Sequence, residues 1–272
     1  MEISKIVTLL TQFDNIEQLR TQATLLEYRG GGGSESWNCK AEDDFWYVVK
    51  CRNNPQDRSC APRLKVVTTE LICSRLGQLF VPPICPFGCI IDIPESLASA
   101  VVYSDGERPS AGPSFGSRLV KGVVDTKYSG IINLVPPEQA ARVIVFQTWL
   151  QGQDTAALVS DDGNGRMYLS IDHGYYLTGP QWDETVLTTQ PTMSLVLPPR
   201  FQELAKLEDA QLFRGVLDEL INLSEMEIIK SLAGIPQEWG ASVEFRAKLT
   251  DFVLKRRSLV EQAVSILWRG AA

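Results

Sequence analysis

The chain has 272 residues, 44% of them hydrophobic, enough to bury a sizeable core as one bilobal domain or two small ones. With 33 acidic against 26 basic residues the net charge is −7, which argues against the cationic footprint that non-specific nucleic-acid binding needs. No apolar run approaches the roughly 20 residues of a membrane span, and Met1-Glu-Ile-Ser-Lys5 lacks the basic and apolar regions of a signal peptide, so a cytoplasmic protein without membrane contact is expected.

Within residues 2–20, Ile6, Leu9, Leu10, Phe13 and Ile16 recur at three- and four-residue steps and predict a helix. Thr21 to Tyr28 reads as a strand, broken by Gly30-Gly31-Gly32-Gly33-Ser34. Trp37 to Ala41 and Phe45 to Cys51 flank the acidic turn Asp43-Asp44 and predict a hairpin, whose second strand ends in Lys50. A glycine loop between strands lets backbone N–H groups approach phosphates, and a strand-borne lysine supplies a point charge. The same residues also suit a flexible linker and the solvated end of an edge strand.

After a polar loop, Thr69 to Leu79 predicts a helix with Leu71, Ile72, Leu76 and Leu79 as its buried stripe and Glu70 in its first turn, where an acid complements the helix dipole. Ile84 to Ile93 reads as a strand, 96–113 as a surface loop and 115–120 as a further strand. The crossing from a sheet-rich to a helical part falls near 120–126. Pro136-Pro137-Glu138 opens a helix that runs to Gly152. Beyond it come an acid loop with Asp154, the turn 161–165, and a strand from Met167 ending in Asp172 beside His173, the single histidine. Two carboxylates flanking a tight hairpin suit phosphoryl transfer, one orienting or deprotonating a hydroxyl and one holding magnesium.

Further helices are predicted over 212–221, over a segment capped by the box Ser224-x-x-Glu227, and from Phe245 to Leu267, with Lys255-Arg-Arg257 on a solvated face. The six cysteines read as reduced thiols; Cys85 and Cys89 are a close pair, but read better as small core residues than as metal ligands.

The order of these features is that of a protein-kinase-like fold. At the residue level the chain resembles the HipA-like kinases. The resemblance rests on Tyr47-Val-Val-Lys50 with Asn54-Pro55, Glu70-Leu-Ile-Cys-x-Arg-Leu-Gly77, Phe115-Gly-Ser117, Trp149 to Asp154, and Ile171-Asp-His-Gly174 with Gly179-Pro-x-Trp182. It spans roughly residues 20 to 190.

The resemblance implies an α+β bilobal fold: a small antiparallel-sheet N-lobe (1–122) and a mainly helical C-lobe (123–272). It also implies ATP and Mg2+ as cofactors and phosphoryl transfer to a serine or threonine of a protein acceptor, as in relatives of the bacterial HipA toxins. Lys50 would contact the α/β-phosphates, Glu70 would pair with it, Asp154 would be the catalytic acid and Asp172 the metal ligand. Gly31, Gly32, Gly33 and Ser34 would overlie the phosphates, and His173 would be structural.

The chain departs from the family pattern about five residues after the catalytic acid, where an asparagine is usual and Val159 stands here. That departure keeps open a pseudokinase that regulates a partner, and because the same lobes serve other acceptors a small-molecule or lipid-headgroup kinase is a further alternative.

Overall fold

The structure is a computed structural model that describes residues 1–15, 19–29, 34–59, 66–125, 136–152, 156–161, 166–177, 187 and 210–270. It is a mixed α+β fold. Helix α1, Ile3–Asp14, buries Ile6 and Leu10 one turn apart. It ends well short of residue 20, because the Leu19 carbonyl already accepts the Ile90 N–H at 3.2 Å and Arg20 opens strand β1. The Asp14 carboxylate pins the helix end by accepting from the Gly234 N–H at 2.6 Å and from two Arg246 nitrogens at 2.6 and 2.7 Å.

Strands β1 (Arg20–Tyr28), β2 (Trp37–Ala41), β3 (Trp46–Lys50), β4 (Gly88–Ile93) and β5 (Gly112–Arg118) form a closed sheet in the order β1-β2-β3-β5-β4. The expected antiparallel sheet is therefore corrected at one seam, where β1 runs parallel to β4. A bulge between Ala23 and Leu25 turns the strand, so Arg20 to Gln22 face β4 while Leu25 to Tyr28 face β2. Closure leaves this sheet without a free edge. Residues alternate across it. Tyr47, Val49 and Ile91 fill the barrel interior with Trp37 and Tyr103. Ile90 and Phe115 point the other way and join the helical core.

That core is organised on helix α3, Val66–Gly77, which follows the short helix α2, Pro55–Ser59. The sequence predicts one buried stripe; every residue of α3 except Arg75 is buried, because the helix is packed between the sheet and the helical part. Its last residue must be glycine, since a Cβ on Gly77 would stand 2.4 Å from Cys85 Sγ. The strand predicted from Ile84 begins only at Gly88. Gln78 Nε2 and Ser74 Oγ donate to the carbonyls of Cys85 and Pro86, which are thereby lost to strand pairing. A short helix α4, Glu95–Ala98, lies in the segment expected to be loop.

The remainder holds α5 (Pro137–Trp149), α6 (Ala210–Asn222), α7 (Glu225–Ser231) and α8 (Val243–Gly270), with α1 packed on α7 and α8. Ser224 is the N-cap of α7 but its hydroxyl makes no capping bond, and Glu227 pairs with Lys230 at 2.6 Å, so the expected capping box does not form. A second sheet has three strands, β6 (Val123–Asp125), β7 (Ala157–Asp161) and β8 (Arg166–Ser170), in sequence order.

Candidate functional site

Alternation along β3 sends Tyr47 and Val49 into the barrel and leaves Val48 and Lys50 facing a cavity of about 360 Å3. Lys50, the last residue of the strand, is buried, and its ammonium bonds both a Glu70 carboxylate oxygen from α3 and an Asp172 carboxylate oxygen from the segment after β8. Three elements thus meet at one nitrogen. Glu70 is the fifth residue of α3 and only 2% exposed, so the first-turn dipole position expected for it is corrected: the helix starts at Val66 and the acid serves the ion pair.

The Lys50–Glu70 meeting is prepared by two residues that sequence reasoning did not single out for this role. Asn54 Nδ2 donates to the Cys51 carbonyl at 2.8 Å and to Asp57 Oδ2 at 2.9 Å, while its Oδ1 accepts the Asp57 N–H at 3.1 Å. Asp57 Oδ1 in turn accepts the N–H of Val66, the first residue of α3, at 3.1 Å. The end of β3 is therefore tied to the start of α3. The signal was present: an asparagine before Pro55 is a favoured N-cap with proline at the first helical position.

Strand β8 ends at Ser170, two residues before Asp172, which adopts a left-handed conformation (φ 58°) and stays 46% exposed at its side chain. A non-glycine residue held there costs on the order of 1 kcal/mol, and aspartate tolerates it better than most. The next residue, His173, is buried between Phe146 and Tyr176, with its ring 4.8 Å from that of Tyr176. Its Nδ1 lies 3.4 Å from the second Glu70 oxygen and its Nε2 3.0 Å from Ser170 Oγ. These contacts place the histidine as a structural brace behind Glu70.

Burial disfavours the Lys50 ammonium, but Asp172 and then Glu70 outweigh it and raise its pKa above the ordinary lysine value. Burial likewise opposes ionisation of Glu70, yet the Lys50 charge and the His173 contact hold its carboxyl well below the usual range. The sign follows: stability from the Glu70 ionisation is complete above the ordinary carboxylate range and fades only as pH falls toward the depressed value. Two carboxylates against one ammonium leave this end of the cavity one negative charge in excess, a setting for a cation.

Val48, Leu119, Leu158 and Ile171 add apolar wall to the same cavity, beside Ser34, Ser117 and Arg118. A ligand with a flat apolar body and an anionic tail that arrives with its own cation suits this lining. A larger cavity of about 890 Å3 lies by α1 and the start of α8, but its Asp14–Arg246 and Arg20–Asp92 pairs spend their charges on each other.

Lys50, Glu70, Asp172 and Ser34 are thus brought to one cavity. Gly31, Gly32, Gly33 and Asp154 lie outside the described residues. The described chain reaches Gly152, where a Cβ would stand 2.6 Å from the Tyr176 ring. Val159 sits within β7, paired with Val123 and Tyr168, so no metal ligand stands at that position. Among the described residues no group of three histidines, cysteines or carboxylates gathers to hold a metal by itself, and no helix is long and apolar enough to cross a membrane.

A protein-family model described as HipA-like kinase matches residues 24–173, more than half of the chain and including Lys50, Glu70 and Asp172. Among solved structures, the crystal structure of a Golgi casein kinase aligns with a TM-score of 0.52 at 10% identity, over 99% of this chain and 77% of that one. The structure of hydra Fam20 with sugar aligns with a TM-score of 0.54 at 9% identity, over 98% of this chain and 90% of that one. At these identities the likeness is one of fold. The curated proteins gave no match.

Proposed function

The chain belongs to the HipA-like kinase family, and from that premise we propose that it transfers the terminal phosphoryl group of ATP, with Mg2+, to a serine or threonine hydroxyl of a protein. The observation that carries the reading is the buried Lys50 ammonium held by Glu70 and Asp172 in a cavity with apolar wall. The base lies against Val48, Leu119 and Leu158. Lys50, kept charged by its partners, meets the α/β-phosphates, and Gly31 to Ser34 overlie them. Asp154 orients the acceptor hydroxyl and takes its proton. The acceptor oxygen bonds to the γ-phosphorus as the bond to the β,γ-bridging oxygen breaks, with the electron pair leaving on ADP.

Asp172 is the chain's contribution to the metal, and it fits: it is a half-exposed carboxylate at the cavity, and magnesium is commonly bound by one or two carboxylates with phosphate oxygens and waters completing the shell. When bound, the ion neutralises phosphate charge. The same proposal divides the chain into two lobes near 122/123, with α1 packed on the helical side. It places the protein in a reducing, cytoplasmic setting, consistent with the five described thiols, each buried and free.

A second reading, a pseudokinase that binds nucleotide and regulates a partner, is favoured by Val159 in its strand. Incubation with labelled ATP and Mg2+, followed by mass spectrometry of the protein and its acceptors, separates the two. The kinase reading expects label that Asp154→Asn abolishes. Nucleotide binding without transfer selects the pseudokinase, and neither binding nor transfer rejects both.

A further inference from the structure

We propose that Arg29 is the residue that grips the terminal phosphates of the nucleotide, so that it rather than Lys50 makes this site prefer a triphosphate to a monophosphate; the proposal rests on the nucleotide reading above. The Arg29 N–H donates to the Ser36 carbonyl at 3.3 Å, one step beyond the Tyr28–Trp37 pair. Because Trp37 pairs with Val49, Ser36 is level with Lys50. Arg29, Ser36 and Lys50 therefore form one rung across three strands, which puts the arginine backbone about 10 Å from that of the lysine, two strand spacings away. The Arg29 side chain lines the same cavity as Lys50 and Asp172.

Charge decides which cation does what. Lys50 is already claimed by two carboxylates, so a polyphosphate arriving there meets a cluster with one negative charge in excess. Arg29 has no carboxylate partner among the described residues, and its Nη1 donates only to the neutral Asn38 side-chain oxygen at 3.3 Å. The other arginine lining the cavity, Arg118, is level with Tyr47, three residues from Lys50 along β3. That is about 10 Å along the strand from Lys50, and its guanidinium stacks 3.4 Å over the Phe45 ring. Arg29 is thus the cavity-lining cation on the Lys50 rung that no carboxylate holds among the described residues. A guanidinium can hold two phosphate oxygens at once, which the single ammonium of Lys50 cannot do in the same fixed geometry.

Calorimetric titration of the full chain with ATP and with AMP, in the presence of Mg2+, tests this for the wild type, Arg29→Gln and Arg20→Gln. Arg29→Gln is expected to weaken ATP about tenfold and leave AMP within about twofold, so the ATP:AMP affinity ratio falls about tenfold. The retained AMP affinity reports that the variant is folded. Arg20→Gln removes a cation from β1, the strand that Arg29 follows, but one paired with Asp92 outside this cavity, and leaves the ratio unchanged. An unchanged ratio in Arg29→Gln, or an equal loss for both nucleotides, overturns the proposal while leaving the nucleotide reading intact. A wild type that binds neither nucleotide overturns that reading and this one with it.

Discussion

Lys50→Met is expected to slow phosphoryl transfer by about 10^2- to 10^3-fold, the usual cost of deleting one preorganised charge aimed at a reacting group. The methionine keeps the bulk and loses the ammonium, so Glu70 and Asp172 are left facing each other. Glu70 suffers most, because it is 2% exposed and, among the described residues, keeps only the His173 ring beside its carboxylate. Removing one member of a buried pair costs about 3–5 kcal/mol, and Lys50→Met should lose an amount near the lower end of that range in a urea titration. Lys50→Met combined with Glu70→Gln separates the two effects. The second change removes the uncompensated charge and should restore part of the stability while restoring no transfer. Equal recovery of both, or wild-type turnover in Lys50→Met, contradicts the assigned role.

The second large effect is expected at Arg256, on the face of α8 that reads as solvated in the sequence. The residue is fully buried: Nε donates to the Trp149 carbonyl and Nη2 to that of Thr148, each at 2.7 Å. These are carbonyls of the last turn of α5, which have no partner within their own helix, so α8 caps α5 from outside. Trp149 returns the contact, its Nε1 donating to the Val253 carbonyl at 2.9 Å. Burial brings the Arg256 pKa down to about 10, which leaves the guanidinium charged at neutral pH. Arg256→Ala strips the buried Trp149 carbonyl of its donor, leaves that of Thr148 to the Gln151 N–H at 3.3 Å, and opens a cavity, a loss of about 4 kcal/mol. The damage falls where the chain turns through Gly152 toward Asp154, so turnover should drop further than nucleotide affinity does. A loss below about 1 kcal/mol would show that water or a neighbour replaces the arginine.

Both residues illustrate what a sequence can and cannot disclose. A lysine closing a β-branched, aromatic strand and a glutamate early in the next helix are local patterns, and β3 and α3 were readable to within a few residues. The strand approaching Asp172 was readable for the same reason. Closure of the barrel was not, because Arg20 to Gln22 pair with Ile90 to Asp92 across some seventy residues and no local signal marks a parallel partner. The burial of α3 on all sides was not readable from its one apolar stripe, because the polar Thr68, Thr69 and Ser74 also lie inside the fold. Arg256 was misread because charge implies solvent until a buried carbonyl needs a donor, and that need arises on a different helix. Strand β6, three residues long, carries too little pattern to be found. The tie from Asn54 through Asp57 to Val66 was visible only as a capping signal; its use in setting Lys50 against Glu70 belongs to the tertiary structure.

The most direct measurement is a structure of the protein with a non-hydrolysable ATP analogue and Mg2+. The expected result is a base against Val48, Leu119 and Leu158, phosphates within hydrogen-bonding distance of Lys50, and the ion on Asp172. A nucleotide seated elsewhere, or a cavity left empty at saturating analogue with Lys50 still closed on both acids, would contradict it.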